Sequence, residues 1–368
     1  MSQATSRPLS LPLRLERAAI RGFARLPQAV IARLGAGAPV NRDGERLAPE
    51  VAAALGVLNR IPGSDFSTKP LDVARHQIED EALVFADTFP PFAVEEDLLI
   101  PSPHGAIPAT RYRATAGASR GLVVYFHGGG WVLGSRVSTD SAVRFLALHA
   151  GVDVLSVDYR LAPEHPFPAA IEDGLAAWEY AVAQAPAWGL DPSRIVVAGD
   201  SAGGNISAVL ALELRGREVE PCLQVLFFPV TDLSTKHPSY EEFSDGYFLT
   251  ERQMDWYREH YLADPAHALD PRVSPLLADD LCGVAPAYIA VAGFDPLRDE
   301  GIAYARRLEE AGVPTELART GDLIHAFINI TGVSPSAYEA TLRAAQAIKA
   351  RLLTTPSGYH NAFRQGTR

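Results

Sequence analysis

Cysteine is almost absent from this chain: its 368 residues include only Cys222 and Cys282. A disulfide framework is thereby excluded. Each cysteine lies in or beside an apolar segment, so both read as buried free thiols, neither a bridge nor a metal pair, in a reducing, cytoplasmic compartment. No uninterrupted apolar run reaches the roughly 18 residues of a membrane helix, and no transmembrane span is expected. Tracts rich in lysine and arginine are missing too. With a formal net charge of −11, the chain lacks the basic face that nucleic acid requires, and its field slightly opposes anionic substrates. Metal-ligand spacings, internal repeats and low-complexity linkers are likewise lacking, so neither metal nor cofactor is expected. What is present, 47% hydrophobic and 21% charged residues, suits one large soluble domain with a full core.

The strongest local signal is Gly199-Asp200-Ser201-Ala202-Gly203-Gly204. Ile195-Val196-Val197-Ala198 before it reads as a buried strand, and Asn205 onward reads as a helix. A serine hydroxyl is a weak nucleophile unless it projects from a sharp strand-to-helix turn within reach of a general base; this context makes Ser201 a candidate nucleophile. Gly199 and Gly203 remove side chains where strand and helix come closest, and the Ala202 amide, opening the helix, points where an oxyanion would form. A second signal, His127-Gly128-Gly129-Gly130-Trp131, follows the apolar run 122–126. Its three glycines leave backbone N–H groups uncovered and already oriented toward a developing oxyanion. A phosphate loop would need a following Gly-Lys-Ser/Thr or the spacing Gly-x-Gly-x-x-Gly, and neither occurs. His127 precedes the glycines, a place better suited to fixing the loop through a ring-to-backbone bond than to serving as the base.

A serine elbow preceded by His-Gly-Gly-Gly is the arrangement of lipase and esterase folds, in which the acid and then the histidine follow the serine. Two strand ends fit that order. Ala287-Tyr288-Ile289-Ala290-Val291-Ala292 has a buried-strand pattern, and Asp295 is the first carboxylate past it. Pro296 is expected to start the following helix, which places Asp299 one turn in, near the surface, as a solvated or salt-bridged acid. After the strand-like run Thr315-Glu316-Leu317-Ala318-Arg319 comes a loop, Gly321-Asp322-Leu323-Ile324-His325. His325 alone combines a strand-end loop with the correct order. His360 falls in a polar tail, and His237, His260 and His267 in a Tyr- and Pro-rich insertion.

On these motifs the chain resembles the hormone-sensitive-lipase family of α/β-hydrolases, in its bacterial esterase branch. The resemblance also rests on Asp158-Tyr159-Arg160-Leu161-Ala162-Pro163-Glu164, Phe167-Pro168-Ala169, Ser274-Pro275-Leu276 and Phe327, and covers residues 90–350. It implies Ser201 as nucleophile, Asp295 as acid, His325 as base, and Gly129, Gly130 and Ala202 as oxyanion donors, with His127, Gly128 and Asp200 supporting the loop. One departure is Ala326, where the family more often has glycine; it should crowd the loop slightly. The implied chemistry is hydrolysis of short- to medium-chain acyl esters by water through an acyl-enzyme. An amidase or deacetylase with the same triad is the enzymatic alternative. A small-ligand receptor is the non-enzyme alternative, against which His325 argues, because receptors of this family lack the catalytic histidine.

The expected architecture is an α/β-hydrolase fold, a mostly parallel sheet flanked by helices, with a helical cap. Strands are expected at 94–100 and 107–112, then ending at Phe126, Val157, Ala198, Phe228, Ala292 and Arg319. Residues 91–231 and 265–355 form the catalytic domain, 1–90 and 232–264 the cap, and 356–368 a tail. Short helices and loops fill 41–90, with a turn at Pro62-Gly63. In the insertion, Phe243, Tyr247, Phe248, Trp256, Tyr257 and Tyr261 read as packing rather than a coenzyme-binding box. Near the N-terminus, Arg14, Arg17, Arg21 and Arg25 recur at helical spacing among Leu15, Ala18, Ile20, Phe23 and Leu26, with Glu16 the only acid. That pattern leaves weak contact with an anionic membrane surface, or a transit peptide, open. The favoured expectation is a helix packed over the mouth of the site. Self-association is left open.

Overall fold

The computed structural model describes residues 9–60, 63 and 65–354. Pro62 and the expected tail at 356–368, with His360, lie outside the described residues. Four helices come first: α1 (Leu11–Ala24), α2 (Gln28–Leu34), α3 (Pro49–Leu58) and α4 (Leu71–Phe85). The core follows as β1 (Val94–Ile100), β2 (Ile107–Arg113), β3 (Leu122–Phe126), α5 (Asp140–Ala150), β4 (Asp153–Val157), α6 (Ala169–Gln184), β5 (Ile195–Asp200), α7 (Ala202–Glu213) and β6 (Leu223–Phe227). The chain then forms α8 (Pro238–Glu242), α9 (Glu251–Tyr261), β7 (Ala287–Phe294), α10 (Arg298–Glu310), β8 (Thr315–Ile324) and α11 (Pro335–Thr354).

The eight strands form one sheet in the order β1-β2-β4-β3-β5-β6-β7-β8, antiparallel across β1-β2-β4 and parallel from β4 to β8. Strands β3 to β7 are buried along their whole length, because helices cover both faces and nothing in the sequence needs to alternate toward water. Successive side chains still point to opposite faces. Leu122, Val124 and Phe126 pack with Ile171, Ile206 and Val209 of α6 and α7, whereas Val123 and Tyr125 pack with Val143, Leu146 and Ile348 of α5 and α11.

Four local expectations are corrected. Strand β8 runs on through Gly321 to Ile324, five residues past Arg319. Gly293 and Gly321 let the two backbones meet at a register irregularity: a Cβ on Gly293 would lie 2.1 Å from the Gly321 carbonyl oxygen. Strand β6 stops at Phe227 because Phe228 takes a φ of 35° and leaves the extended region. Helix α10 starts at Arg298, not Pro296, since the Asp295 carboxylate accepts from the Leu297 N–H at 2.9 Å and holds that tripeptide in a turn. Cys282 is exposed, not buried; its own N–H donates to the Asp280 carboxylate at 2.8 Å in a surface turn. Cys222 is buried, and both thiols are free.

The early arginines divide their work. Arg17 donates to the carbonyls of Leu83 and Ala86, and Arg21 to that of Ala86, so both satisfy orphan carbonyls at and just after the end of α4. Helix α1 is thereby fixed on α4, although none of its side chains is fully buried. Helix α4 in turn lies on the segment after the glycine run: Arg75 donates to the Val132 carbonyl at 3.0 Å and the Ala162 carbonyl at 3.0 Å.

Strands β2 and β4 share one buried carboxylate. Asp153, with no exposed surface, accepts from Arg111 at 2.8 Å and Arg113 at 2.7 Å. Removing the acid leaves the buried Arg111 guanidinium only a long 3.8 Å pair with the exposed Glu96, so Asp153→Ala is expected to lower unfolding free energy by about 3–5 kcal/mol. Urea unfolding followed by circular dichroism checks this; a loss under about 1 kcal/mol, the range of a surface pair, would contradict it.

Candidate active site

Ser201 joins β5 to α7 with φ 55° and ψ −116°, a sparsely populated conformation for a residue with a side chain. Packing around it permits no other path. A Cβ on Gly203 would sit 1.9 Å from the Phe126 carbonyl oxygen, and one on Gly199 would sit 2.4 Å from the Gly203 backbone. The turn is pinned on both sides: the Ser201 N–H donates to the Phe227 carbonyl at 2.9 Å, and the Ser201 carbonyl accepts from Val230 at 3.3 Å. Asn205, buried on α7, donates to the carbonyls of Val230 at 2.9 Å and Val273 at 2.8 Å, tying two loops to the elbow.

The structure brings Ser201, His325 and Asp295 together. His325 Nε2 lies 3.1 Å from Ser201 Oγ, and His325 Nδ1 lies 2.8 Å from Asp295 Oδ2. A carboxylate only accepts, so Nδ1 carries the proton and donates to Asp295; this leaves Nε2 to accept the Ser201 hydroxyl proton. Asp295 has no exposed surface, and its second oxygen accepts from the Leu297 N–H. Asp299, by contrast, is half-buried and paired with Arg298 at 2.7 Å, and is not bonded to the imidazole. Ala326, next to the histidine, adopts φ 64°, the left-handed region in which glycine would carry no strain.

The glycine run leaves the end of β3 beside the elbow. Asp200 accepts from the Tyr125 hydroxyl at 2.7 Å and the Gly128 N–H at 3.1 Å, which fastens the run to the residue before Ser201. Burial raises the Asp200 pKa, and the Tyr125 hydrogen bond opposes that rise. His127 donates from Nδ1 to the Gly128 carbonyl at 2.7 Å and stacks on Tyr159 with centroids 4.3 Å apart. Burial lowers its pKa and keeps it neutral. The amides of Gly129, Gly130 and Ala202 donate to no backbone carbonyl among the described residues. Among the described residues no cluster of three or more His, Cys, Asp or Glu could hold a metal ion.

Helix α9 covers the run. Trp131 stacks on Tyr261 with centroids 4.0 Å apart and planes 3° from parallel, while the Tyr257 ring lies against Gly130. Phe66, from the segment between α3 and α4, packs on Trp256 at 5.7 Å and on Tyr257 at 5.4 Å. Asp65 pairs with Arg252 and accepts from Gln253 at 3.2 Å. The early segment and the insertion thus form one continuous cover. Phe243, instead of joining it at the glycine run, packs on Phe294 at 5.6 Å.

Sequence reasoning missed Phe228. Its ring lies 4.6 Å from the His325 ring and 5.1 Å from the Phe327 ring, packing the imidazole into place. Nothing in the order of residues marks it; only its positive φ does, an uncommon strain for a bulky side chain.

With this geometry established, the relatives fall into line. A family model described as the α/β hydrolase fold matches residues 123–329. A carboxylic ester hydrolase of Mycobacterium tuberculosis is 42% identical over 327 residues, spanning 87% of this chain and 87% of that protein. An ethyl acetate hydrolase of Pseudomonas putida is 38% identical, spanning 83% of this chain and 99% of that protein. Among solved structures, a hyperthermophilic esterase of the archaeon Pyrobaculum calidifontis superimposes with a TM-score of 0.78 at 38% identity, covering 83% of this chain and 98% of that one. The chain belongs to the α/β-hydrolase family, in its hormone-sensitive-lipase-like branch of esterases.

Gly130 offers a direct probe of the run. A methyl group there would fall 2.2 Å from the Tyr257 ring, at a φ of 59° that strains any other residue. Gly130→Ala is therefore expected to lower kcat/KM for p-nitrophenyl butyrate by about 10²-fold or more, the scale of losing an oxyanion donor, with an unchanged far-ultraviolet spectrum. Activity within about threefold of the parent would show that the run takes no part in turnover.

Proposed function

We propose that this carboxylesterase cleaves short- to medium-chain acyl esters through Ser201, His325 and Asp295, by way of an acyl-enzyme. The observation that carries the reading is the continuous relay from Ser201 Oγ to His325 Nε2 at 3.1 Å and from His325 Nδ1 to Asp295 at 2.8 Å. His325 takes the hydroxyl proton as Ser201 attacks the carbonyl carbon, and Asp295 stabilises the imidazolium that forms. The amides of Gly129, Gly130 and Ala202 receive the oxyanion. His325 then returns its proton to the departing alkoxide oxygen, which leaves as the alcohol. Water, deprotonated by the same imidazole, releases the acid and restores Ser201.

Acyl length follows from the cover. Residues 91–231 and 265–354 supply the catalytic body, while the described residues of the first ninety and 232–264 roof it, with Phe66, Trp256 and Tyr257 as the apolar contact between the two roof pieces. Ser201 and His325 are each only 7% exposed, which supports small substrates over long ones. Bonding of Arg17 and Arg21 to α4 supports the packed reading of the first helix over a membrane anchor. No described helix is long and apolar enough to cross a membrane. A series of p-nitrophenyl esters of increasing acyl length, run beside matched p-nitroanilides, tests the substrate class. Highest kcat/KM on the short to medium esters is expected; faster cleavage of the anilides would assign an amidase instead.

Two substitutions test the roles. Ser201→Ala is expected to lower esterase turnover by about 10⁴-fold or more with little change in Tm. Asp295→Asn is expected to lower kcat by about 10⁴-fold through a misoriented imidazole, and Asp299→Asn far less. Equal losses at the two acids would assign the orienting role to neither alone.

A further inference from the structure

Glu300 is a buried carboxyl that the relay does not use. It lies in the first turn of α10, five residues after Asp295, with no exposed surface. Its Oε1 accepts from the Thr231 N–H at 2.7 Å and the Asp232 N–H at 3.3 Å. Those amides belong to the segment leaving β6 behind the elbow, where Val230 donates to the Ser201 carbonyl and the Thr231 carbonyl accepts from Leu276 at 3.0 Å. One side chain therefore joins the helix that follows Asp295 to the segment that backs Ser201.

We propose that Glu300 is a positioning residue for ester hydrolysis: through the amides of Thr231 and Asp232 it locks the Ser201 limb to the Asp295 limb and so sets the gap that His325 spans. The proposal rests on the Ser201-His325-Asp295 reading. The groups facing Glu300 fit such a role. Asp232 from the loop and Asp295 from the end of β7 are both acidic, and Tyr240 of α8 adds a phenol. Burial, with these acids adding to it, pushes the Glu300 carboxyl well above the usual carboxylate range. Charged or uncharged, the carboxyl offers an oxygen to the two amides. Glutamine reproduces that shape and that acceptor. Aspartate withdraws the acceptor by one methylene, and methionine fills the volume without one.

The test measures kcat, KM and the pH profile for p-nitrophenyl butyrate in full-length Glu300→Gln, Glu300→Asp and Glu300→Met, with folding checked by circular dichroism and Ser201→Ala alongside. Glu300→Asp and Glu300→Met are expected to lose about 10²-fold in kcat, the effect of misplacing a catalytic group by about 1 Å, with KM within about threefold. Glu300→Gln is expected to stay within about threefold of the parent in kcat, with the acid limb of its pH profile unmoved. Should either short or apolar variant fail to fold, the other still reads the loss. Full kcat in a folded Glu300→Asp or Glu300→Met would overturn the proposal, as would a loss confined to KM. A Glu300→Gln variant as impaired as the others, or with a shifted acid limb, would also overturn it, because the carboxyl would then act through its charge. If Ser201→Ala itself retained turnover, the relay reading would fall rather than this one.

Discussion

The close meeting of α7 with the end of β3 is the constraint on which the rest of the structure depends. Only about the width of a glycine separates Gly203 from the Phe126 carbonyl, and this forces Ser201 into a left-handed turn that no bulky neighbour could accommodate. The strain is local, and hydrogen bonds from Ser201 to Phe227 and from Val230 to Ser201 hold it in place. Because the contact falls at the carboxyl ends of parallel strands, the same neighbourhood receives the glycine run from β3 and the acid and histidine from β7 and β8. A shift of the elbow would move each of these partners at once.

Around the elbow, ionisable groups are held by different means. Asp295 keeps two hydrogen bonds, one to imidazole and one to an amide. Asp200 is tied to a phenol and an amide, and Glu300 to two amides. His127 is stacked and neutral. Each of these polar side chains has at least one partner for a buried atom, as low-dielectric surroundings demand. The aromatic cover from α9 and Phe66 packs on the glycine run at Gly130 and Trp131, on the same face of the site.

Much of the fold was legible because it is written locally. Short apolar runs separated by helix-length segments located all eight strands, and Gly-x-Ser-x-Gly between a run and a helix located the turn at Ser201. What escaped depends on partners distant in sequence. Continuation of β8 through Gly321 requires Gly293 beside it, and the delayed start of α10 requires Asp295 to bind the Leu297 amide. Exposure of Cys282 follows from a surface turn set by Asp280, not from the apolar residues around it. Of the site, the chain order of serine, acid and histidine was readable. The strained Phe228, the Tyr125-Asp200 tether and the Glu300 bridge were not, since each is defined by a contact across the sheet and none by a pattern along the chain.

The central claim is that Ser201 attacks the ester carbonyl and carries the acyl group. A p-nitrophenyl alkylphosphonate, which traps an attacking oxygen as a stable phosphonyl ester, tests it most directly when the labelled protein is digested and mapped by mass spectrometry. The account predicts one equivalent of p-nitrophenol released per chain, loss of esterase activity in step with that release, and the phosphonyl group on Ser201. A stoichiometric adduct on any other residue, or full inactivation with Ser201 unmodified, would contradict it.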